Sequence, residues 1–162
     1  MPGSSLTYFV CDPAAHVRRD LDLDSFETSV LTVSRHVFET LERPEDQCWM
    51  SAFWHAEQAF PPPFGATIAH ALVIAINASR TSRRRSFSYL RVSDPLADVS
   101  ITDEERYYVM ALRGIREGDN SCARLNALFL CEGHSADALL AALERLALIT
   151  GDVTEPRLQP TR

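Results

Sequence analysis

Three observations predict an all-α fold. Apolar residues repeat at helical spacing through most of the chain, capping pairs and Gly or Pro residues punctuate those runs at helix-length intervals, and runs of strand type are few. The pattern predicts about six helices in a compact bundle, two groups of three, with an irregular N-terminal arm. Its divisions are an arm over 1–24, a single helical domain over 25–151 and a loose C-terminal tail over 152–162.

The arm carries one short apolar run, Leu6 to Cys11, that admits a single strand. From Asp24 the signals turn helical: Asp24 with Glu27 forms a capping box, and Phe26, Val30, Val33, Val37 and Leu41 recur on one face, so a helix is predicted near 25–43. Pro44, followed by Glu45 and Asp46, suits the first turn of a second helix with Trp49, Phe53, Ala56 and Phe60 as its apolar stripe. Pro61, Pro62 and Pro63 end it, because consecutive prolines deny backbone donors and force extended geometry.

The third helix, Phe64 to Ser82, is the most apolar and is read as central. At 100° per residue, Thr67, His70, Ile74, Asn77 and Thr81 fall within one wedge of roughly 80°, a polar seam along an otherwise apolar rod. If neighbouring helices cover that rod, the seam must find partners, since each buried unpaired polar group costs roughly 1–3 kcal/mol. Thr67, His70, Asn77 and Arg80 are therefore candidate ligand-binding residues, and His70 is the one histidine expected inside.

Ser86 to Ile101, containing Asp94-Pro95, lacks a clean period and reads as a crossing loop with at most one short helix. Thr102 and Glu105 then form a second capping box, Tyr108, Ala111, Leu112 and Ile115 line one face, and Gly118 stands at a C-cap. Asp119 or Asn120 opens a fifth helix with Cys122, Leu125, Leu128 and Phe129, closed by Gly133. Ser135 is read as the cap of a sixth, with Leu139, Leu143, Leu146 and Ala147 inward and Gly151 at its end. Short links favour antiparallel neighbours, and the pattern is neither tetratricopeptide nor ankyrin.

Composition excludes several function classes. The chain has 162 residues, a net charge of −6 and ordinary soluble composition, and all 16 of its basic residues are arginine. Without lysine there is no Walker A loop, no Schiff base and no ion-pairing lysine of the protein-kinase kind. The six glycines never form G-x-G-x-x-G, so a Rossmann-type loop is absent too. The arginine bias reads as genome composition, of a bacterial type. No run approaches the roughly 20 apolar residues needed to span a bilayer, and the N-terminus lacks signal-peptide character, which predicts a cytoplasmic protein. Cys11, Cys48, Cys122 and Cys131 show no metal-finger spacing and read as reduced thiols, so no metal or other cofactor is expected.

Residues 59–93 hold no acidic side chain but contain Arg80, Arg83, Arg84, Arg85 and Arg91. Arg83, Arg84 and Arg85 are candidates for contact with an anion or an acidic partner, although Asp20, Asp22 and Asp24 offer internal neutralisation. Nucleic acid is disfavoured by the negative net charge. Ser51, His55 and Gln58 stack along one helix face, but a neutral amide cannot support an imidazolium as a carboxylate does, so they read as a polar outer surface. His36 with Glu39 is placed on the polar side of the first helix. Trp49 and Trp54 lie on different sides of theirs, so one must reach a second surface, and with Met50 they form a candidate interface.

These features predict a helical interaction or regulatory module, homodimeric and non-enzymatic, whose partner is a second copy or an acidic protein surface. Two alternatives stand beside it: a small-molecule, anion or metal binder using the His70 seam, and an enzyme with a histidine acid/base.

Overall fold

The structure, a computed structural model, describes residues 9–11 and 22–154. Capping chemistry sets where the first helix begins. The Asp24 carboxylate accepts the Glu27 N–H at 2.7 Å and Glu27 accepts the Asp24 N–H at 3.0 Å, and α1 runs over Ser25–Glu42. The expected second helix is interrupted. Pro44–Asp46 forms one turn of 3-10 helix, Gln47 takes a left-handed conformation at φ 53°, and α2 begins only at Cys48, running over Cys48–Ala59. Of the expected stripe, Ala56 and Phe60 are buried and Phe53 packs against the core, with Ala52 added to the inner face, while Trp49 stays outside. Ala52 and Ala56 let α1 and α2 approach closely, and that approach leaves Trp49, Met50 and Trp54 outside.

α3 spans Phe64–Ser82, the predicted range, and buries Ile68, Leu72, Ala75 and Ile76. It packs most extensively on α6, and also on α2 and α1. Two strands frame the region predicted as loop. β1, Phe9–Cys11, pairs in parallel with β2, Phe87–Tyr89, matching Phe9 to Phe87 and Cys11 to Tyr89. The admitted strand is thus realised over its second half, Leu6 to Tyr8 lying outside the described residues. β2 was invisible in sequence because three residues are too few to show a period.

α4, Asp103–Glu117, starts at the Thr102–Glu105 capping box and ends at Gly118, whose φ of 75° is the left-handed geometry glycine allows. α5 covers Asn120–Leu130 with Asp119 as its cap. α6 covers Asp137–Thr154. It therefore continues through Gly151, where the sequence suggested an end, and residues 155–162 lie outside the described part. The Ser135 hydroxyl donates to the side chain of Asp137 at 3.3 Å. Among the described residues, six α-helices are joined by one hydrophobic core.

α4 and α5 meet at a glycine. A Cβ on Gly114 would stand 2.6 Å from the Ala123 nitrogen and 2.9 Å from the Asp119 carbonyl oxygen, both backbone atoms that cannot rotate away. Gly114→Ala is expected to lower stability by about 1–3 kcal/mol through overpacking, seen as a reduced urea midpoint with an unchanged slope.

Two polar nodes tie the connections to the helices. Glu42 on α1 accepts the Cys11 N–H, the Tyr89 hydroxyl and Arg91 Nη2, so β1, β2 and the following loop converge on one carboxylate. Burial alone would raise its pKa, but these donors outweigh burial and hold it below the ordinary range. The second node is fully interior. Arg35 Nε and Nη2 reach the two oxygens of Glu105 at 2.8 and 3.0 Å, and the same guanidinium donates to the Ala97 and Ser100 carbonyls. Glu105 in turn accepts the N–H groups of Leu90 and Thr102. The crossing loop is pinned by this pair.

Candidate functional site

The polar seam of α3 faces solvent. His70 is exposed, as are Thr67, Ile74, Asn77 and Thr81, because α3 turns its opposite side to α1, α2 and α6. This corrects the expectation that the seam is covered and His70 buried. Asn77 accepts from Arg80 Nη2 at 2.9 Å within the same helix. Thr67 and His70 still border a shallow groove of about 180 Å³ with Ile74, Arg145 and Ile149, so part of the predicted set is brought together at the α3–α6 boundary.

The arginine run is divided. Arg83 is buried, 7% exposed, and donates to the carbonyls of Leu130, Arg85 and Ser86, so it closes the end of α3 onto α5 and is no surface contact for an anion. Arg84 and Arg85 are exposed, and both their backbone N–H groups donate to Glu132. Burial would raise the Glu132 carboxyl, but these two donors, with Arg83 and Arg85 nearby, carry it below its usual range. The described residues of the acidic arm, Asp22 and Asp24, are engaged by other arginines. Asp24 pairs with Arg116, the Asp22 carbonyl accepts from Arg113, and Asp20 lies outside the described residues.

The aromatic candidates on α2 have the clearest geometry. With Ala52 and Ala56 against α1, Trp49, Met50 and Trp54 are each more than half exposed, so both tryptophans reach the surface rather than one. Met50 and Trp54 are one turn apart on the same face. Glu45 and Glu57 are exposed near them in sequence and lend negative charge, while Asp46 is paired with Arg43 at 2.7 Å. A second unpartnered apolar face lies on α5, where Leu125 and Phe129 are also more than half exposed. The Phe129 ring stacks on Tyr107 at 5.3 Å, the Arg106 guanidinium sits over Tyr107 at 4.5 Å and 3.8 Å from Asp103, and Arg124 is exposed beside Leu125 and lends positive charge.

Beneath Trp54 lies a feature the sequence reading missed. His36, placed by that reading on the polar side of α1, is 9% exposed, and its ring stacks on His55 of α2 with centroids 4.5 Å apart and planes 18° from parallel. Trp54 stands edge-on to His55 at 4.9 Å. His36 Nε2 is buried with no hydrogen-bond partner among the described residues. Burial, and then the adjoining His55, hold the His36 pKa down to about 4, so the ring is neutral near pH 7. One signal for this pair was available: His36 and His55 lie equally far from the turn at Glu45 and Asp46, and such residues meet across a helical hairpin.

Ser51 and Gln58 are exposed and His55 is committed to the stack, so the triad-like row does not converge. Stacked rings present faces rather than lone pairs to each other, and no group of three or more His, Cys, Asp or Glu side chains gathers as a metal-ligand set among the described residues. All four cysteines are free thiols. A cleft of about 640 Å³ between α4, α6 and the start of α1 is lined by Phe26, Ile115, Glu117, Glu144 and Leu148, and its Arg116 already pairs with Asp24 and Glu27 over the Phe26 ring. Among the described residues, no helix is long and apolar enough to cross a membrane. No protein-family model, no curated protein and no solved structure matches this chain.

Proposed function

We propose that the protein is a cytoplasmic helical interaction module that binds a second copy of itself, with the Met50–Trp54 face of α2, Trp49 at its margin, meeting the Leu125–Phe129 face of α5 in the partner copy. The observation carrying this reading is that α2 buries Ala52 and Ala56 but exposes both of its tryptophans and Met50, the reverse of what a helix without a partner favours. Tryptophan and methionine are among the side chains enriched at interface centres. The occupant is chosen by charge: Glu45 and Glu57 are exposed near the α2 face, Asp46 being paired with Arg43, whereas the exposed Arg124 flanks the α5 face, Arg106 lying 3.8 Å from Asp103. Two α2 faces brought together would oppose like charges, while α2 on α5 pairs unlike ones. The four free thiols accord with a reducing compartment.

Light scattering across a concentration series tests the reading. Wild-type protein is expected to associate, and Trp54→Glu or Phe129→Glu, each placing a charge on an exposed face without disturbing the core, to weaken association at least about 30-fold. Mixing the two variants separates the pairings. In a contact of α2 on α5 the mixture retains one intact combination and regains association, whereas α2 on α2 gives no such rescue. A wild-type protein that stays monomeric to high concentration, or a Trp54→Glu variant that associates normally, overturns the proposal.

A further inference from the structure

We propose that the stacked imidazoles of His36 and His55 form an acid-sensitive latch that holds α2, with the aromatic face it carries, against α1. The latch itself rests on geometry within one chain. Its consequence for association rests on the interaction reading above.

The His36 ring occupies the seam between two helices, buried, with His55 parallel to it and Nε2 facing no acceptor. Neutral rings suit that arrangement. Whichever nitrogen takes up the proton, the doubly protonated ring would hold a buried Nε2–H without an acceptor and a cation against a second titratable ring. Relief requires α2 to move away from α1 and admit water. Because Trp54 contacts His55 edge-on, that movement displaces the exposed indole as well.

The other charged groups around the seam do not compensate. On α1, Glu39 is engaged by Arg43, and Arg43 also pairs with Asp46 of the 3-10 turn at 2.7 Å. α2 contributes Cys48, whose thiol burial pushes up, and an exposed Glu57. From α3, His70 is exposed and Arg80 bonds Asn77, while the charges that α4 directs at α1, Glu105, Arg113 and Arg116, are paired with Arg35, Glu27 and Asp24. Among the described residues, the charged neighbour acting on His36 is His55 and not a carboxylate.

The sign follows from the depressed pKa. An unfolded histidine titrates near 6.5 and the folded His36 near 4, so between those values the unfolded chain binds more protons. Stability is fully present above about pH 6.5 and is lost as pH falls toward 4.

Thermal melts at pH 7.5 and pH 5, at one protein concentration, compare wild type with His36→Phe and His55→Phe, which keep a stacked ring but cannot take up a proton. The wild-type midpoint is expected to fall by roughly 4–10 °C more than that of His36→Phe, since carboxylate titration is common to both. Equal falls in the two proteins overturn the latch. The wild-type histidine NMR titration needs no variant: a His36 midpoint below about 5 supports the latch, and one near 6.5 overturns it. Light scattering at the same two pH values reads the consequence separately. Association lost at pH 5 in wild type but kept in His36→Phe supports the coupling. A protein monomeric at both values sinks the interaction reading and leaves the melts to decide the latch.

Discussion

Glu105→Ala is expected to destabilise the protein by about 3–5 kcal/mol, a large share of the roughly 5–15 kcal/mol that holds a domain folded. Glu105 is fully buried and accepts four hydrogen bonds, two from Arg35 and one each from the Leu90 and Thr102 N–H groups. Removing it leaves a 3%-exposed guanidinium without its counterion and frees two backbone donors, one at the start of α4 and one just after β2. Glu105→Gln keeps the shape but turns an amide donor toward groups that are themselves donors, so it is expected to fall between wild type and Glu105→Ala. Replacing both partners by apolar residues is not expected to restore stability, as it sometimes does for isolated buried pairs, because the Ala97 and Ser100 carbonyls would lose their donor. Urea unfolding followed by far-UV circular dichroism measures all of these. A loss under about 1 kcal/mol for Glu105→Ala would show that water satisfies the node.

Phe38→Ala should have a comparable effect, about 3–5 kcal/mol, for a different reason. The Phe38 ring is wholly buried and packs against Phe87 at 4.6 Å, Phe9 at 5.2 Å and Tyr89 at 5.6 Å, with Tyr108 edge-on at 6.3 Å. From its place on α1 it touches both strands and α4. Its deletion opens a cavity where four aromatic rings meet, and rings cannot collapse into a void as short aliphatic chains can. Phe38→Leu, which fills part of the space, is expected to recover about half of the loss. Hydrogen exchange offers a second readout, because amides of Phe87–Tyr89 should lose protection before those in the middle of α3.

The helices were legible because their signals are local. Asp24 with Glu27, Thr102 with Glu105, Gly118 and the three prolines act through bonds made within a few residues, and the ends they mark agree closely with the structure. What each helix faces was not legible in the same way. Phe38 lies off the stripe from Phe26 to Leu41, and it is buried because the two strands cover a second side of α1. Arg35 and Glu105 are far apart in sequence, and nothing near Arg35 announces that an arginine will lie inside. The misplacement of His70 came from treating the most apolar helix as the most enclosed. α3 achieves its burial with one broad face, and its alanines leave the other side free for polar groups. On α2, the exposure of Trp49, Met50 and Trp54 is set by the small size of Ala52 and Ala56. Contrast in residue size along that helix was therefore a better guide than hydrophobicity.

Both indoles of this chain sit outside the core, on one short helix, whereas Tyr89 and Tyr108 lie deep within it. Intrinsic emission excited at long wavelength thus samples the local surroundings of α2 and says little about the integrity of the interior. A spectral change on dilution or acidification would mark a change in how far water reaches that helix, while melting of the core would have to be followed through tyrosine absorbance or backbone ellipticity.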